Sequence, residues 1–158
     1  MSENSSSVYP PAFASAPPQR VLFLCVHNSA RSQMAEGLAR ARAPKGVEIW
    51  SAGTEPSGVH PLAVQVMDEI GIDIRAHASK GLEEVPWRQA DTVVTLCGEA
   101  DEACPAVGGG VRLRHWPIKD PAGAPLPERL SAFREAREEI RWRIAALWPV
   151  DSPPLPER

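Results

Sequence analysis

The chain has 158 residues, 43% of them hydrophobic, which is enough for one globular domain with a single core. Its 17 Lys and Arg residues against 20 Asp and Glu residues give a net charge of −3, which argues against a nucleic-acid-binding surface. No apolar run near the start is long enough to cross a bilayer, and no signal-peptide pattern precedes it, so we expect a cytoplasmic protein that does not contact a membrane.

The chain has 3 cysteines, and the cytoplasm favours reduced thiols over structural disulfides. Three cysteines at uneven spacing are too few for a four-ligand zinc site. We therefore expect neither a bound metal nor another cofactor.

Residues 1–19 and 150–158 are rich in Ser and Pro and lack periodicity, which predicts flexible tails around a domain over residues 20–149. The first half of this domain alternates between strand and helix patterns. The elements predicted there are a buried strand over Val21–Cys25, a helix over Ser29–Ala41, a short strand over Val47–Ser51 and an amphipathic helix over His60–Ile70.

In the second half, Leu82–Gln89 predicts a short helix interrupted at Pro86. The remaining predicted elements are a central strand over Asp91–Cys97, a strand nearer an edge over Val111–Trp116 and a long helix over Leu126–Trp148. This order predicts an α/β three-layer sandwich, with a four-stranded parallel sheet flanked by helices. Ligands of such folds bind at the carboxyl ends of the strands, where Cys25 and Cys97 both fall.

A loop of five residues separates Cys25, at the end of the first strand, from Arg31, near the start of the first helix. Such a loop can direct backbone N–H groups at an oxyanion, which the helix dipole also favours. Arg31 can bind two oxygens of that anion, and the same field favours a thiolate at Cys25. Asn28 can adopt left-handed backbone geometry, and Ser32 can donate a hydrogen bond to the sulfur. The residues expected to bind the anion are His27, Asn28, Ser29, Ala30, Arg31 and Ser32.

By itself, this spacing also fits a buried structural cysteine beside an arginine on a solvated helix face. The stretch nevertheless resembles the active-site loop of the low-molecular-weight protein tyrosine phosphatase superfamily, because Ser32 and then QMAEG follow Arg31. Within that superfamily, NSARSQMAEG is most similar to the arsenate reductases that share its fold. The resemblance covers roughly Arg20 to Trp148. It implies a phosphatase-like fold, with Cys25 as the nucleophile and Arg31 as the oxyanion ligand.

Asp120 precedes Pro121 in the stretch RHWPIKDPAGA, on a loop after the fourth predicted strand. A carboxylic acid there can protonate the oxygen that leaves when Cys25 attacks, although Asp-Pro can also merely shape a turn. The superfamily places its general acid in a similar Asp-Pro loop, so the resemblance implies this role for Asp120. Residues 122–124 are Ala-Gly-Ala where phosphatases often carry aromatic residues, so the loop is not suited to phosphotyrosine.

The stretch VTLCGEADEACP places Cys104 seven residues after Cys97. In a helix, their Cα atoms would lie roughly 10.5 Å apart at about 1.5 Å per residue. A disulfide needs a Cα separation below about 7 Å, so bond formation would unwind or bend the segment. Alternatively, both cysteines are small buried hydrophobes.

This segment closely resembles the redox segment of thioredoxin-coupled arsenate reductases. The resemblance implies that Cys25 attacks arsenate, that Cys97 then attacks Cys25 and expels arsenite, and that Cys104 attacks Cys97. An external dithiol, thioredoxin or a similar protein, would reduce the final disulfide. We expect a monomer.

Superfamily members that bind potassium behind the loop use an asparagine, a glutamate, a serine and an aspartate. Asn28, Glu36 and Ser51 match the first three, whereas Lys80 stands in the fourth place. The resemblance therefore implies that the Lys80 ammonium replaces the cation, and that potassium activates little. Alternatively, Lys80 is an ordinary surface lysine.

Three functions remain open at this point. The first is an arsenate reductase that serves arsenic detoxification through Cys25, Cys97 and Cys104. The second is a low-molecular-weight phosphatase that uses Cys25, Arg31 and Asp120, either alone or as a weak side activity. The third is a non-catalytic oxyanion or redox sensor, for which arsenate would protect Cys25 from alkylation without producing arsenite.

Overall fold

The computed structural model describes residues 17–98 and 111–149. Four parallel strands form one sheet: β1 (Arg20–Cys25), β2 (Glu48–Gly53), β3 (Thr92–Thr95) and β4 (Arg112–His115). Within these two ranges, three α-helices accompany it: α1 (Arg31–Arg42), α2 (Pro61–Asp68) and α3 (Leu126–Leu147). The strand order is β2-β1-β3-β4, which confirms the predicted α/β fold with a four-stranded parallel sheet.

The central strand β1 is apolar because both of its faces are covered. Its residues 21–24 have no solvent exposure, as expected for an inner strand of a parallel sheet. Val21 and Phe23 face a core that the three helices complete, whereas Leu22 and Leu24 face a smaller cluster with Val85 and Ala90. Strand β4 lies at the sheet edge and is largely exposed, as its alternating sequence predicts.

The layer over the smaller cluster differs in detail from the prediction. The expected helix over Leu82–Gln89 is a pair of 3₁₀ turns, Leu82–Glu84 and Trp87–Gln89, with Pro86 between them. Proline supplies no N–H for a continuous helical ladder, so the segment forms two short turns. The third 3₁₀ turn, Pro121–Gly123, follows Asp120.

Several element ends also differ from the prediction. Helix α1 begins at Arg31 rather than Ser29, because the backbone of Ala30, with φ −121° and ψ −73°, is not yet helical. Strand β3 ends at Thr95, two residues before Cys97. Helix α2 ends at Asp68, and Gly71 turns the chain with a φ of 80°.

The last residues of the segment predicted as an N-terminal tail contact the domain. Pro18 is buried, and its carbonyl accepts a hydrogen bond of 3.0 Å from the indole N–H of Trp148. The backbone N–H of Gln19 donates to Asp91 at 3.1 Å. The rest of that tail (1–16), the segment 99–110 with Cys104 and the tail 150–158 lie outside the described residues. Within the described ranges, no helix has the length and apolar character needed to cross a membrane.

Candidate active site

A cavity of about 160 Å³ opens at the carboxyl ends of the strands. It brings together most of the residues predicted to act on the anion, namely Cys25, His27, Ser29, Ala30, Arg31 and Asp120. Three further residues complete its wall, namely Ser57, His60 and Ala122. Two of the predicted binding residues, Asn28 and Ser32, do not line this cavity.

The loop between Cys25 and Arg31 is held by its carbonyl groups. Each carbonyl oxygen from Val26 to Ser29 accepts a hydrogen bond from outside the loop. The donors are the backbone N–H groups of Glu55, Ser57 and His60, the hydroxyl of Ser79 and the side-chain amide of Gln33. A trans peptide directs its N–H away from its own C=O. The N–H groups of residues 27–30 therefore point to the opposite side of the loop, which is the geometry of an anion-binding nest.

Gly53, at the end of β2, allows this loop to lie against the sheet. A Cβ atom there would be 2.5 Å from the carbonyl oxygen of Val26 and 2.7 Å from the nitrogen of Asn28. Both contacts are with backbone atoms, which cannot rotate away. Sequence reasoning missed Gly53, although a glycine at a strand end is a known sign that another backbone segment approaches closely.

The sulfur of Cys25 has a hydroxyl partner, as the sequence analysis expected. Its Sγ lies 2.9 Å from Oγ of Ser32, and Cys25 is only 2% exposed. Asn28 donates from Nδ2 to the same Oγ at 2.8 Å. Because Ser32 accepts from Asn28, its single proton is left to be donated to the sulfur. Such a donor stabilises a thiolate more than a thiol.

The side-chain amide of Asn28, which lies behind the loop, determines which groups of this network donate hydrogen bonds and which accept them. Its Oδ1 accepts from Gln33 at 3.0 Å and from the backbone N–H of Lys80 at 2.7 Å, which fixes the orientation of the amide. The Nδ2 group also donates to Oγ of Ser51 at 2.9 Å. Asn28 is fully buried and has the left-handed φ that its sequence position predicted. Its side chain therefore shapes the loop, and only its backbone N–H faces the cavity side.

The network ends at a buried carboxylate. Ser51 donates to Oε1 of Glu36 at 2.5 Å, and Arg40 donates to Oε2 at 3.0 Å. The ammonium of Lys80 lies 3.8 Å from Oε1 and donates to the carbonyl of Ala78 at 2.7 Å. The four positions that correspond to the potassium site of other superfamily members therefore lie together behind the loop, namely Asn28, Glu36, Ser51 and Lys80. The carboxylate of Glu36 has two cationic neighbours there, Arg40 and Lys80.

Arg31 connects the two halves of the cavity. It is 3% exposed, and Nη1 donates to the carbonyls of Leu96 at 3.2 Å and Ile118 at 3.0 Å. Its Nη2 lies 3.8 Å from Oδ2 of Asp120. The Oδ1 atom of Asp120 accepts from the backbone N–H of Ala122 at 3.0 Å, so Asp120 also caps the short turn that follows it. Asp120 is therefore both a turn-shaping residue and a carboxyl group on the wall of the cavity.

Two histidines border the cavity. His27 donates from Nδ1 to the carbonyl of Glu55 at 3.1 Å, since a carbonyl can only accept. His60 lies immediately before α2, and sequence reasoning did not select it as a site residue. A histidine at a helix start carries no sequence signal that separates a site residue from a helix cap.

The two cysteines at the strand ends are in different redox states. Cys25 is a free thiol, whereas Cys97 is buried and disulfide-bonded. Leu24 pairs with Thr95 across β1 and β3, so Cys25 lies one residue and Cys97 two residues beyond this pair. Cys97 thus differs from the reduced thiol that a cytoplasmic location favours by default, whereas the relay implied by the family resemblance includes a bonded Cys97. The third cysteine, Cys104, lies outside the described residues.

Among residues 17–98 and 111–149, no cluster of three or more His, Cys, Asp or Glu side chains could hold a metal ion. The groups that converge on the cavity are instead a thiol, a guanidinium, a carboxyl group and inward N–H groups. This set can bind a tetrahedral oxyanion and protonate one of its oxygens.

Comparison with known proteins agrees with this description. Residues 20–149 match the family described as low molecular weight phosphotyrosine protein phosphatase. "Arsenate reductase 2" of Staphylococcus saprophyticus is 43% identical over 124 residues, which are 78% of this chain and 92% of that protein.

Two solved structures are similar to the chain as well. One, described as an arsenate reductase in the oxidized state, has a TM-score of 0.71 and 34% identity, and the match covers 82% of this chain and 95% of that one. The Corynebacterium glutamicum thioredoxin-dependent arsenate reductase has a TM-score of 0.65 and 34% identity, over 85% of this chain and 62% of that one.

Proposed function

The chain belongs to the low molecular weight phosphotyrosine protein phosphatase family, and we propose that within it the chain is an arsenate reductase that uses three cysteines in turn. One observation carries the proposal: a free thiol at Cys25 faces Arg31 and Asp120, while Cys97, two residues after the neighbouring strand β3, is disulfide-bonded. The names of the related proteins support arsenate as the substrate.

In the first step, the Cys25 thiolate attacks the arsenic of arsenate, and an As–S bond forms. Arg31 and the inward N–H groups of the loop hold the oxygens, and Ser32 stabilises the thiolate before attack. Asp120 donates a proton to the departing oxygen, which leaves as water. Arsenic remains in its higher oxidation state through this step.

Reduction occurs in the second step. The Cys97 thiolate attacks the sulfur of Cys25 and forms an S–S bond. The As–S bond breaks, and its electron pair stays on arsenic, which leaves as arsenite. The two electrons come from the two thiols, so no further reductant is required at this point.

The third step regenerates the nucleophile. Cys104 attacks the sulfur of Cys97, and Cys25 leaves as a thiolate. The free Cys25 and disulfide-bonded Cys97 of the structure are the states that these two residues have after this step. We propose that an external dithiol protein of the thioredoxin type then reduces the remaining disulfide.

The first test uses fully reduced protein, arsenate and no external reductant. We expect the three free thiols to fall to one, with one arsenite released per chain. Cys97→Ser should stop at the Cys25–arsenate adduct and release nothing. Cys104→Ser should release arsenite and retain no free thiol. If all thiols survive and no arsenite forms, the reductase proposal is wrong; protection of Cys25 from alkylation without arsenite would instead favour a sensor.

The reductant requires a separate test. After one turnover, thioredoxin with its reductase should restore continuous arsenite release. Glutathione with glutaredoxin at equal reducing capacity should restore much less. The opposite order would keep the arsenate chemistry but replace the proposed partner.

A weak phosphatase activity is the second candidate, because Cys25, Arg31 and Asp120 would act on a phosphate ester in the same way. Ala122 on the cavity wall offers no aromatic surface for a phenyl ring. We therefore expect slow hydrolysis of a small aryl phosphate, abolished by Cys25→Ser and unchanged by Cys97→Ser. Efficient phosphotyrosine hydrolysis that the Cys97 variant retains would favour a phosphatase as the main function.

A further inference from the structure

We propose that His60 is a substrate-binding residue whose Nε2–H donates a hydrogen bond to the oxyanion in the cavity. The inference rests on the proposed function, since it assumes that the cavity holds a tetrahedral oxyanion. It adds a neutral donor from α2 to the charged group of Arg31 and the N–H groups of the loop.

The position of His60 is fixed from two sides. Its backbone N–H donates to the carbonyl of Ser29 at 2.9 Å, which ties it to the anion loop. Its ring packs against Phe133 of α3, with the ring centroids 4.7 Å apart and the planes tilted by 40°. Phe133 is fully buried, so the imidazole is supported by the core of the protein. The ring forms part of the cavity wall together with Cys25 and Asp120.

The hydrogen bonds of the ring determine its tautomer. Nδ1 accepts from the backbone N–H of Leu62 at 3.0 Å and thereby caps α2. A neutral imidazole carries one proton, so a ring that accepts at Nδ1 must carry it at Nε2. Within the described parts of the chain, no residue accepts a hydrogen bond from Nε2. The side chain therefore has a donor left for a ligand.

The surroundings keep this ring neutral. Burial, and next the positive charge of Arg129, lower the pKa of His60, while Asp120 acts in the opposite direction. The neutral form is the one that can cap α2 and donate from Nε2 together. A protonated ring would lose the helix cap, because Nδ1 would then be a donor as well.

The substitution His60→Asn separates binding from capping. Asparagine is among the preferred N-cap residues, so its Oδ1 can replace Nδ1 as acceptor for Leu62, while the Nε2 donor is removed. His60→Ala removes both groups. His115→Asn is a matched control, because His115 lies on β4, its ring forms a hydrogen bond of 2.7 Å with Thr95 of β3, and it does not line the cavity.

The readout is protection of Cys25 from iodoacetamide by phosphate, which binds as a tetrahedral oxyanion but cannot be reduced. We expect His60→Asn to raise the phosphate concentration needed for half-protection by about tenfold, with Tm unchanged. The KM for arsenate should rise by a similar factor with little change in kcat. His115→Asn should behave like the wild type, and His60→Ala should lower Tm in addition.

Unchanged phosphate protection in a folded His60→Asn protein would overturn the proposal. If that variant does not fold, ¹⁵N spectra of wild-type His60, assigned through its contact with Phe133, replace it. Phosphate should shift the Nε2–H signal, and an unmoved signal would equally overturn the proposal. Because phosphate protection needs no turnover, a wild type that binds phosphate but releases no arsenite would reject the proposed function and leave the His60 assignment standing.

Discussion

The two loops that meet over Cys25 are held in place in different ways. In the anion loop, residues 26–30, the carbonyl groups from Val26 to Ser29 accept hydrogen bonds from residues outside the loop. Gly53 of β2 lies against the backbone of this loop. In the acid loop, residues 119–124, Asp120 caps its own turn and lies 3.8 Å from Arg31. The first loop must direct N–H groups before the substrate arrives, whereas the second must only bring one carboxyl group to the cavity. Arg31 links the two loops, because it directly follows the anion loop and lies beside Asp120 of the acid loop.

The largest effect should come from Arg31→Lys, which disturbs both loops at once. Lysine keeps the charge but cannot bond two carbonyls and an oxyanion with one planar group. We expect kcat/KM for arsenate to fall by about 10³-fold, as measured by arsenite release. A fall of less than about tenfold would show that charge alone suffices and that the two loops do not depend on a shared guanidinium.

Gly53→Ala should damage the anion loop alone. The new Cβ meets the backbone of Val26 and Asn28 at under 3 Å, so the loop must move. A displacement of about 1 Å can cost about 10²-fold in rate, and we expect a loss of that size in kcat/KM. In the acid loop, Gly123→Ala is the matched change, because a Cβ there meets nothing within 4 Å. Equal losses from both variants would contradict the difference drawn between the loops.

Asp120→Asn should damage the acid loop alone. Asparagine can still cap the turn, so the fold is retained, but the proton donor is lost. We expect the single-turnover rate of arsenite release to fall by about 10²-fold. Phosphate should protect Cys25 from alkylation as well as before. An unchanged rate would assign Asp120 to turn formation only.

Substitutions of Lys80 test the hydrogen-bonded residues that lie behind the anion loop. The ammonium lies 3.8 Å from Glu36, so we expect wild-type activity to be the same in potassium and sodium chloride at equal ionic strength. Lys80→Asp places a second carboxylate beside Glu36, and the two negative charges repel each other. Because a bound potassium ion would offset this repulsion, the variant should need potassium for activity. Lys80→Ala is the control for loss of the ammonium alone. Potassium activation of the wild type would remove the proposed role of Lys80.

The smallest effect is expected far from both loops, at Glu69 between α2 and α3. Hydrogen bonds from Arg134, and next from Arg137, lower the pKa of Glu69 from 4.5 to about 2. A pKa lowered by folding stabilises the protein above the unfolded value, and this stabilisation is lost as the pH falls towards 2. Glu69→Gln should therefore lower Tm slightly at pH 7, but not near pH 2, with kcat/KM unchanged. A loss of activity would show that the loops depend on the helix layer.

Much of the fold could be predicted because its signals are local. The apolar run before Cys25 and the spacing of Phe133, Ile140 and Ile144 mark a buried strand and an amphipathic helix. The prediction was less accurate where single residues decide the geometry. The helix expected over Leu82–Gln89, with its predicted interruption at Pro86, forms two 3₁₀ turns, and the non-helical backbone of Ala30 delays the start of α1.

The sequence by itself determined the parallel α/β fold, the family and the chemical groups of the site, because Cys25, Arg31 and Ser32 stand at a spacing that one strand, loop and helix must bring together. The sequence does not show which residues far along the chain complete that site. Only the tertiary structure placed Gly53 against the loop and brought His60 to the cavity. These contacts join distant segments, and their geometry depends on packing that no local pattern records.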